Sequence, residues 1–232
     1  MANYVLVHGA WGGALTWGEV PARLEAAGHK VLVATLPGLG SRQAELHPGI
    51  TLTDHIDAVC DQIAAAGFER FILAGHSYGG MVITGVAGRL GLPGTNWVID
   101  AICYVDAFWP QDGESLYDIT GAFEHAWYID TQKFSPGLVR PLGSPPEFAP
   151  VPGVVGYHPL LTLVEAVRLS GDEQGIARKA YIYATGYEGT PFPRFAAAAK
   201  AAGWEYSETA TDHFVMQNDA DLTERVLLGL AG

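Results

Sequence analysis

Basic residues, cysteine and long apolar runs are all scarce in this sequence. Its 232 residues include 13 Lys and Arg against 25 Asp and Glu, a formal net charge of −12. Because phosphate binding needs clustered Lys and Arg, this balance argues against nucleic acid or an anionic membrane as a partner. No apolar run is long enough to span a bilayer, and no charged-then-apolar leader opens the chain. We therefore expect a cytosolic protein.

The two cysteines carry no metal or disulfide signal. Cys60 falls in a predicted helix and Cys103 in a predicted strand, and no close Cys/His spacing suggests zinc. Both are interpreted as small buried apolar residues, and no metal site is predicted.

What the chain does have is a regular alternation of strand-like and helix-like segments. The strand-like segments are YVLVHG, KVLVATL, RFILAG, VIDAICYV, AYIYAT and WEYSETA. Repeated β-α units predict an α/β fold, with a mostly parallel, doubly wound sheet covered by helices on both faces. In such sheets ligands bind beyond the carboxyl ends of the strands.

The alternation breaks once. Residues 107–179 hold eight of the 14 prolines and no clear apolar strand. We interpret this stretch as an insertion that forms a cap, within one domain that covers residues 1–232.

A possible nucleophile lies between an apolar strand and a helix. The segment Gly75-His76-Ser77-Tyr78-Gly79 is a Gly-x-Ser-x-Gly motif in the strand-turn-helix context that gives it meaning. A sharp turn there lifts the Ser77 hydroxyl clear of the backbone, and the helix N-terminus behind it favours negative charge. The alternative is a glycine-rich turn with an incidental serine.

The matching base is expected after the last strand, where His213 lies in DHFVMQ. The alternative for any loop histidine is an ordinary surface residue. His8 and His76 lie beside the two glycine turns and are interpreted as shaping them, whereas His125 and His158 fall in the cap.

Acyl transfer also needs two backbone N–H groups aimed at a developing oxyanion. One is the amide of Tyr78, directly after the nucleophile. The other is expected from HGAWGG after the first strand, where Ala10 is the first choice and Trp11 the second. A dinucleotide-binding loop is the rival interpretation, but the spacing Gly-x-Gly-x-x-Gly is not matched there.

With these motifs in place, the chain resembles the α/β-hydrolases, in particular the branch with methyl-salicylate esterases, hydroxynitrile lyases and bacterial pyrethroid and carbamate hydrolases. The similarity extends over YVLVHGAWGGALTW, LPGLGSRQ, LAGHSYGGMV, YVDAFWPQDGES and DHFVMQ. The resemblance implies catalysis without a cofactor. Ser77 would attack an ester-type carbonyl, His213 would take its proton and later activate water, and the amides of Ala10 and Tyr78 would hold the oxyanion.

Two departures bear on the reaction. Hydroxynitrile lyases of this branch carry Thr in the first-strand loop and Lys directly after the catalytic His, where this chain has Gly9 and Phe214. No cation is then evident to hold leaving cyanide, so hydrolysis is favoured over a lyase reaction. A ligand-binding protein that has lost catalysis is the third interpretation.

The acid is not where most relatives have it. The family usually places an Asp after the strand that follows the cap, but YIYATGYEGTPFP offers only Glu188. One strand earlier, Asp106 ends an apolar strand, where a lone carboxylate is costly unless it is hydrogen-bonded. We predict Asp106 as the acid and Glu188 as the second choice, each against the alternative of a loop residue. Asp212 adjoins His213 and is not expected to turn onto its ring.

The predicted substrate is a small or medium ester, carbamate or related acyl compound with an apolar part. Candidates for an apolar wall in the cap are Trp109, Phe123, Trp127 and Tyr128, although core packing of the cap explains them equally well. Relatives are sometimes dimers, and no interface signal is evident in the sequence.

Overall fold

The computed structural model describes residues 1–187 and 189–232. Its strands are β1 (Asn3–Val7), β2 (Lys30–Ala34), β3 (Arg70–His76), β4 (Val98–Val105), β5 (Leu138–Val139), β6 (His158–Pro159), β7 (Arg178–Ala184) and β8 (Glu205–Thr209). Its α-helices are α1 (Val20–Ala26), α2 (Leu52–Ala66), α3 (Gly79–Ala87), α4 (Leu116–Ile119), α5 (Ala122–Thr131), α6 (Leu161–Val164), α7 (Phe192–Ala201), α8 (Val215–Asn218) and α9 (Ala220–Gly229). Short 3₁₀ helices cover Ala14–Trp17, Gly40–Glu45 and Asp172–Gly175.

Six strands form a parallel sheet in the order β2-β1-β3-β4-β7-β8. This confirms the predicted α/β class. The register pairs Val7 with Gly75, His76 with Val105, and Val105 with Ile182. The loops that follow β1, β3, β4 and β7 therefore leave the sheet side by side, at the edge where ligands bind in open parallel sheets.

The central strands are buried because helices cover both faces of the sheet. In β1, Val5 and Val7 belong to one apolar core cluster, whereas Tyr4 and Leu6 belong to the other. A strand buried on both sides needs a continuous apolar run rather than an alternating one. No helix among residues 1–187 and 189–232 combines the length and the apolar character that a membrane crossing requires.

Helix ends follow the local sequence. Thr51 precedes α2, and its hydroxyl accepts a hydrogen bond from the Asp54 N–H. The Asp54 carboxylate accepts a hydrogen bond from the Thr51 N–H in return. Gly67 ends the same helix at φ +68°. Gly18, at φ +55°, separates the first 3₁₀ helix from α1.

Between β4 and β7 lies a long connecting segment, residues 106–177. It holds α4, α5 and α6 and a two-stranded antiparallel ribbon, in which Leu138 pairs with Pro159 and Val139 with His158. The ribbon is too short for a strand pattern to show in the sequence.

Candidate active site

Ser77 lies in the tight turn between β3 and α3. Its φ of +54° is in the left-handed region, which non-glycine residues rarely adopt. The flanking glycines are required by close packing, since a Cβ on Gly75 would lie 2.7 Å from the Gly79 carbonyl oxygen and one on Gly79 would lie 2.6 Å from that of Val7. The turn therefore holds Ser77 in a conformation that its neighbours fix.

Asp106 and His213 form a direct hydrogen bond. The Asp106 Oδ2 and His213 Nδ1 atoms are 2.6 Å apart, and the Asp106 side chain is fully buried. Its other oxygen accepts the Ala184 amide at 3.1 Å. Because His213 donates through Nδ1, its Nε2 keeps a free lone pair, as a general base requires.

The carboxylate reaches this position from the strand before the expected one. The backbone of Asp106 continues the pairing of β4 with β7, since its N–H donates to the Ile182 carbonyl at 2.7 Å. Asp106 has φ +42°, in the left-handed region. Its side chain lies at the end of β7 and accepts a hydrogen bond from the Ala184 N–H. The backbone of Asp106 therefore follows the end of β4, and its carboxylate contacts the end of β7.

Burial perturbs both members of this pair. It raises the pKa of Asp106 to about 7, and the hydrogen bond from Ala184 opposes that rise. Burial also lowers the pKa of His213 to about 4, and the nearby charge of Asp212 opposes that fall. The direct hydrogen bond favours the ionised carboxylate, and burial favours the neutral imidazole. Both effects favour a neutral imidazole beside an ionised carboxylate.

The imidazole of His213 is packed between aromatic rings. Tyr187 stacks on it at a centroid distance of 4.9 Å and Phe192 at 5.0 Å. On another side the ring of His76 lies 4.5 Å away, and its Nε2 donates to the His213 carbonyl at 2.9 Å. Asp212 accepts the amide of Phe214 instead of touching the His213 ring. The His213 imidazole is thus fixed in orientation by packing as well as by Asp106.

The loop after β1 carries Ala10 and Trp11, the two candidates for the predicted oxyanion hole. Within the described residues, the amides of Ala10 and Tyr78 donate to no protein acceptor, and both residues line the cavity beside Ser77. The Trp11 amide instead donates to His158 Nδ1 at 3.3 Å. Of the two predicted choices, Ala10 is therefore the one whose amide is available. Buried His8 donates through Nδ1 to the Gly9 carbonyl at 2.9 Å.

These groups open into a mostly apolar cavity of about 480 Å³. Its lining comes from the loop after β1, the nucleophile turn, the connecting segment and the loops after β7 and β8. The described lining residues include Leu15, Phe108, Leu116, Thr120, Glu124, Tyr128, Pro141, Leu142, Val155, Tyr187, Phe192, Phe214 and Gln217. None of the described lining residues is Lys or Arg.

The predicted apolar wall lies mostly elsewhere. Of the four candidates, only Tyr128 lines the cavity. Trp109 packs on Trp204 at 4.2 Å between centroids, and Phe123 is 63% exposed. Trp127 donates to the Arg140 carbonyl and lies under its guanidinium. These three side chains serve packing or face solvent, which their composition could not reveal.

Other lining residues were missed from the sequence. Tyr187 and Phe192 follow β7 and pack on His213, and Phe108 follows Asp106. Their positions in or just beyond the loops that follow β4 and β7 were the available signal. The second choice for the acid, Glu188, lies outside the described residues. Among the described residues, no group of three or more His, Cys, Asp and Glu side chains is arranged to hold a metal ion.

Comparison with known sequences gives relatives over nearly the whole chain. The profile of a family described as the alpha/beta hydrolase family matches residues 4–226. A carbendazim hydrolyzing esterase from Nocardioides sp. (strain SG-4G) is 34% identical over 93% of this chain and 94% of that protein. Salicylic acid-binding protein 2 from Nicotiana tabacum is 30% identical over 62% of this chain and 54% of that protein.

Solved structures share the fold at low sequence identity. An extracellular alpha/beta-hydrolase from a Paenibacillus species superposes with a TM-score of 0.80, at 22% identity over 99% of each chain. The pyrethroid hydrolase PytH superposes with a TM-score of 0.71, at 18% identity over 100% of this chain and 97% of that one.

Proposed function

The chain belongs to the alpha/beta hydrolase family, and on that basis we propose that it is a serine hydrolase that cleaves ester or carbamate substrates through an acyl-enzyme. The observation that carries the proposal is the 2.6 Å hydrogen bond between Asp106 and His213, at a cavity that Ser77 also lines. A nucleophile, a base and an orienting carboxylate at one site are the constellation of serine hydrolases.

The proposed first half-reaction acylates Ser77. Its Oγ attacks the carbonyl carbon while His213 Nε2 takes the hydroxyl proton. The oxyanion that forms accepts hydrogen bonds from the backbone N–H groups of Ala10 and Tyr78. Asp106 stabilises the imidazolium that forms. As the tetrahedral intermediate collapses, the bond to the leaving group breaks and His213 returns its proton to that group.

The second half-reaction releases the acid. Water attacks the acyl-enzyme carbonyl while His213 Nε2 takes its proton, and the same two amides hold the new oxyanion. Collapse of this intermediate breaks the bond to Ser77, which recovers its proton from His213. Water is the only co-reactant that the two half-reactions need for their atoms and protons to balance.

We propose an uncharged substrate of small or medium size. The described lining of the cavity is mostly apolar and contains Glu124 and Asp212 but no Lys or Arg. A substrate carboxylate would therefore be desolvated beside acidic groups without a cation to compensate. The named activity of the Nocardioides esterase supports a carbamate or ester as the scissile group.

We propose that the connecting segment acts as a cap within a single domain, because Leu116, Tyr128 and Pro141 from that segment line the cavity. The cytosolic location stays a prediction from the sequence.

Hydrolysis is preferred over a lyase reaction because of two positions. A side chain on Gly9 would meet Ser77 Cβ and His76 Nδ1 at 3.0 Å, and Phe214 stands where a lyase has its cation. Failure to cleave a cyanohydrin, alongside ester hydrolysis, would distinguish the two reactions.

The proposal predicts that turnover depends on Ser77. We expect wild type to release p-nitrophenol from neutral p-nitrophenyl esters, and Ser77→Ala to lower kcat by about 10⁴-fold or more, because no covalent intermediate can form. A serine-reactive phosphonate should add one adduct mass to wild type and none to the variant.

The matched control is Ser170→Ala, which removes an exposed hydroxyl outside the cavity lining and should retain both activity and labelling. No release by wild type across a series of acyl lengths, with no phosphonate adduct, would reject the proposal.

A further inference from the structure

The residue after Ala10 is held in an unusual conformation by the connecting segment. Trp11 has φ +58°, in the left-handed region that costs a non-glycine residue free energy. Its indole Nε1 donates to the Val139 carbonyl at 2.9 Å, and its own carbonyl accepts the Gly156 amide at 3.4 Å. Together with the hydrogen bond from the Trp11 N–H to His158, three contacts hold this residue. All three partners belong to residues 106–177.

The protonation of His158 leaves its Nδ1 able to accept the hydrogen bond from the Trp11 N–H. Its side chain is fully buried, and burial lowers its pKa well below the ordinary value, so the imidazole is neutral. Thr162 Oγ1, 2.7 Å from Nε2, donates its own proton to the Pro159 carbonyl. Nε2 must then carry the hydrogen and donate to Thr162, which leaves the Nδ1 lone pair for Trp11.

The other side of Ala10 is fixed independently. His8 donates to the Gly9 carbonyl, which belongs to the same planar peptide as the Ala10 amide. In a trans peptide the C=O and N–H point in opposite directions, so holding one orients the other. The next peptide carries the Trp11 N–H that His158 accepts. Ala10 therefore lies between two peptides that are each hydrogen-bonded to a buried histidine.

We propose that His158 is a positioning residue for the oxyanion hole, which acts through Trp11 to keep the Ala10 amide directed into the cavity. The inference rests on the proposed function, since it gives His158 a part in the same reaction. The connecting segment then completes the catalytic backbone in addition to covering the cavity. An amide that is aligned before reaction stabilises the transition state more than the bound substrate, so the effect should fall on kcat.

Two variants of His158, each with a polar group near one of the two ring nitrogens, separate this role from burial alone. The Asn side-chain oxygen lies close to the place of Nδ1 and can still accept the Trp11 amide, whereas the Gln side-chain amide lies closer to Nε2. We expect His158→Gln to lower kcat for a p-nitrophenyl ester about 10- to 100-fold with KM changed less than about twofold. His158→Asn should recover kcat to within about threefold of wild type.

A second readout follows the oxyanion directly. An aryl trifluoromethyl ketone forms a tetrahedral adduct with a serine nucleophile and places an oxyanion in the hole. Its inhibition constant should rise in His158→Gln by the same factor as kcat falls. Trp11→Phe, which removes the indole bond to Val139, should lower kcat in the same direction and serves if His158→Gln does not fold.

The matched control is His29→Gln. His29 Nδ1 also accepts a backbone amide, that of Ala2 at 3.0 Å, but His29 lies outside the cavity lining. Its kcat should equal that of wild type. The inference is overturned if His158→Gln keeps wild-type kcat, if the loss is in KM, or if His158→Asn falls as far as His158→Gln. A wild type without phosphonate labelling or turnover rejects the proposed function itself, and the inference with it.

Discussion

Asp106 is the proposed acid of the triad, and its carboxylate lies between the ends of two neighbouring strands. It accepts from His213 at 2.6 Å and from Ala184 at 3.1 Å. A neutral amide in its place cannot stabilise an imidazolium, and it can present an N–H to Nδ1 that favours the wrong tautomer. We expect Asp106→Asn to lower kcat by about 10³- to 10⁴-fold with little change in KM, measured by steady-state hydrolysis of the same p-nitrophenyl ester.

Glu188→Gln is the comparison that decides between the two acids and should stay within about threefold of wild type. The reverse pattern, near-normal kcat in Asp106→Asn and a loss of several orders in Glu188→Gln, would assign the acid to the loop after β7. Urea unfolding of both variants separates a lost catalytic group from a lost fold.

Residue types and order predict part of the site, but not its walls. Ser77 is predicted as the nucleophile because a serine flanked by glycines at a strand-helix junction is typical of a nucleophile turn. Asp106 is predicted to have a partner because a carboxylate at the end of a buried strand is costly without one, and it lies 2.6 Å from His213. Trp109 and Tyr128 are both aromatic residues of the predicted cap, and nothing in the sequence separates them. Trp109 packs on Trp204, whereas Tyr128 lines the cavity. Only the path of the chain decides which aromatic ring lines the cavity.

At the scale of elements, helix α3 must approach the chain after β4 closely. A Cβ on Gly80 would collide with the carbonyl oxygen of Phe108, whose amide donates to the Ser77 carbonyl at 3.2 Å. The Phe108 backbone cannot shift away from such a Cβ without moving the turn that holds Ser77. We expect Gly80→Ala to lower the free energy of unfolding by about 2 kcal/mol in urea titrations, as overpacked substitutions do.

The matched control is Gly229→Ala, at the end of α9. An added Cβ there meets nothing within 4 Å, and Ala is the better helix former by up to about 1 kcal/mol. Gly229→Ala should therefore be as stable as wild type or more stable. Equal effects of the two substitutions would show that glycine at position 80 reflects helix propensity and not close packing.

Elements were predictable where local signals and burial agree. The segment VIDAICYV is apolar throughout except for one Asp and forms β4 over Val98–Val105, and Thr51 and Gly67 bound α2 as their capping preferences indicate. The ribbon of β5 and β6 was not predictable. It has two residues per strand, and its hydrogen bonds to Trp11 join positions more than 125 residues apart along the chain. Such contacts leave no periodic pattern.

At the scale of the whole molecule, folding buries several imidazoles in their neutral form. Burial lowers the pKa of His8 to about 4, of His55 to about 3 and of His213 to about 4, and it lowers the pKa values of His76 and His158 well below their ordinary range. Asp106 shifts in the opposite sense, to about 7. These five imidazoles therefore bind protons more weakly in the folded state than in the unfolded chain.

These shifts predict steep loss of stability in mild acid. A histidine with a lowered folded pKa stabilises the fold above its unfolded pKa of about 6.5, and that stabilisation is lost as pH falls. Burial acts in the opposite sense on Asp106, because it raises the pKa of that carboxyl, and the hydrogen bond from His213 opposes the rise. Each buried histidine that stays neutral in the fold therefore costs about 1 kcal/mol of unfolding free energy between pH 6.5 and 5.5.

Urea titrations at intervals across that range measure the slope. His55→Gln should reduce the loss by about 1 kcal/mol per pH unit, because one imidazole no longer has to be deprotonated on folding. Ile99→Val, a truncation in the core, should lower stability by the same amount at every pH and leave the slope unchanged. Wild-type stability that is flat from pH 6.5 to 5.5 would mean that these histidines are already protonated in the fold. That result would also contradict the neutral His158 on which the arrangement around Trp11 depends.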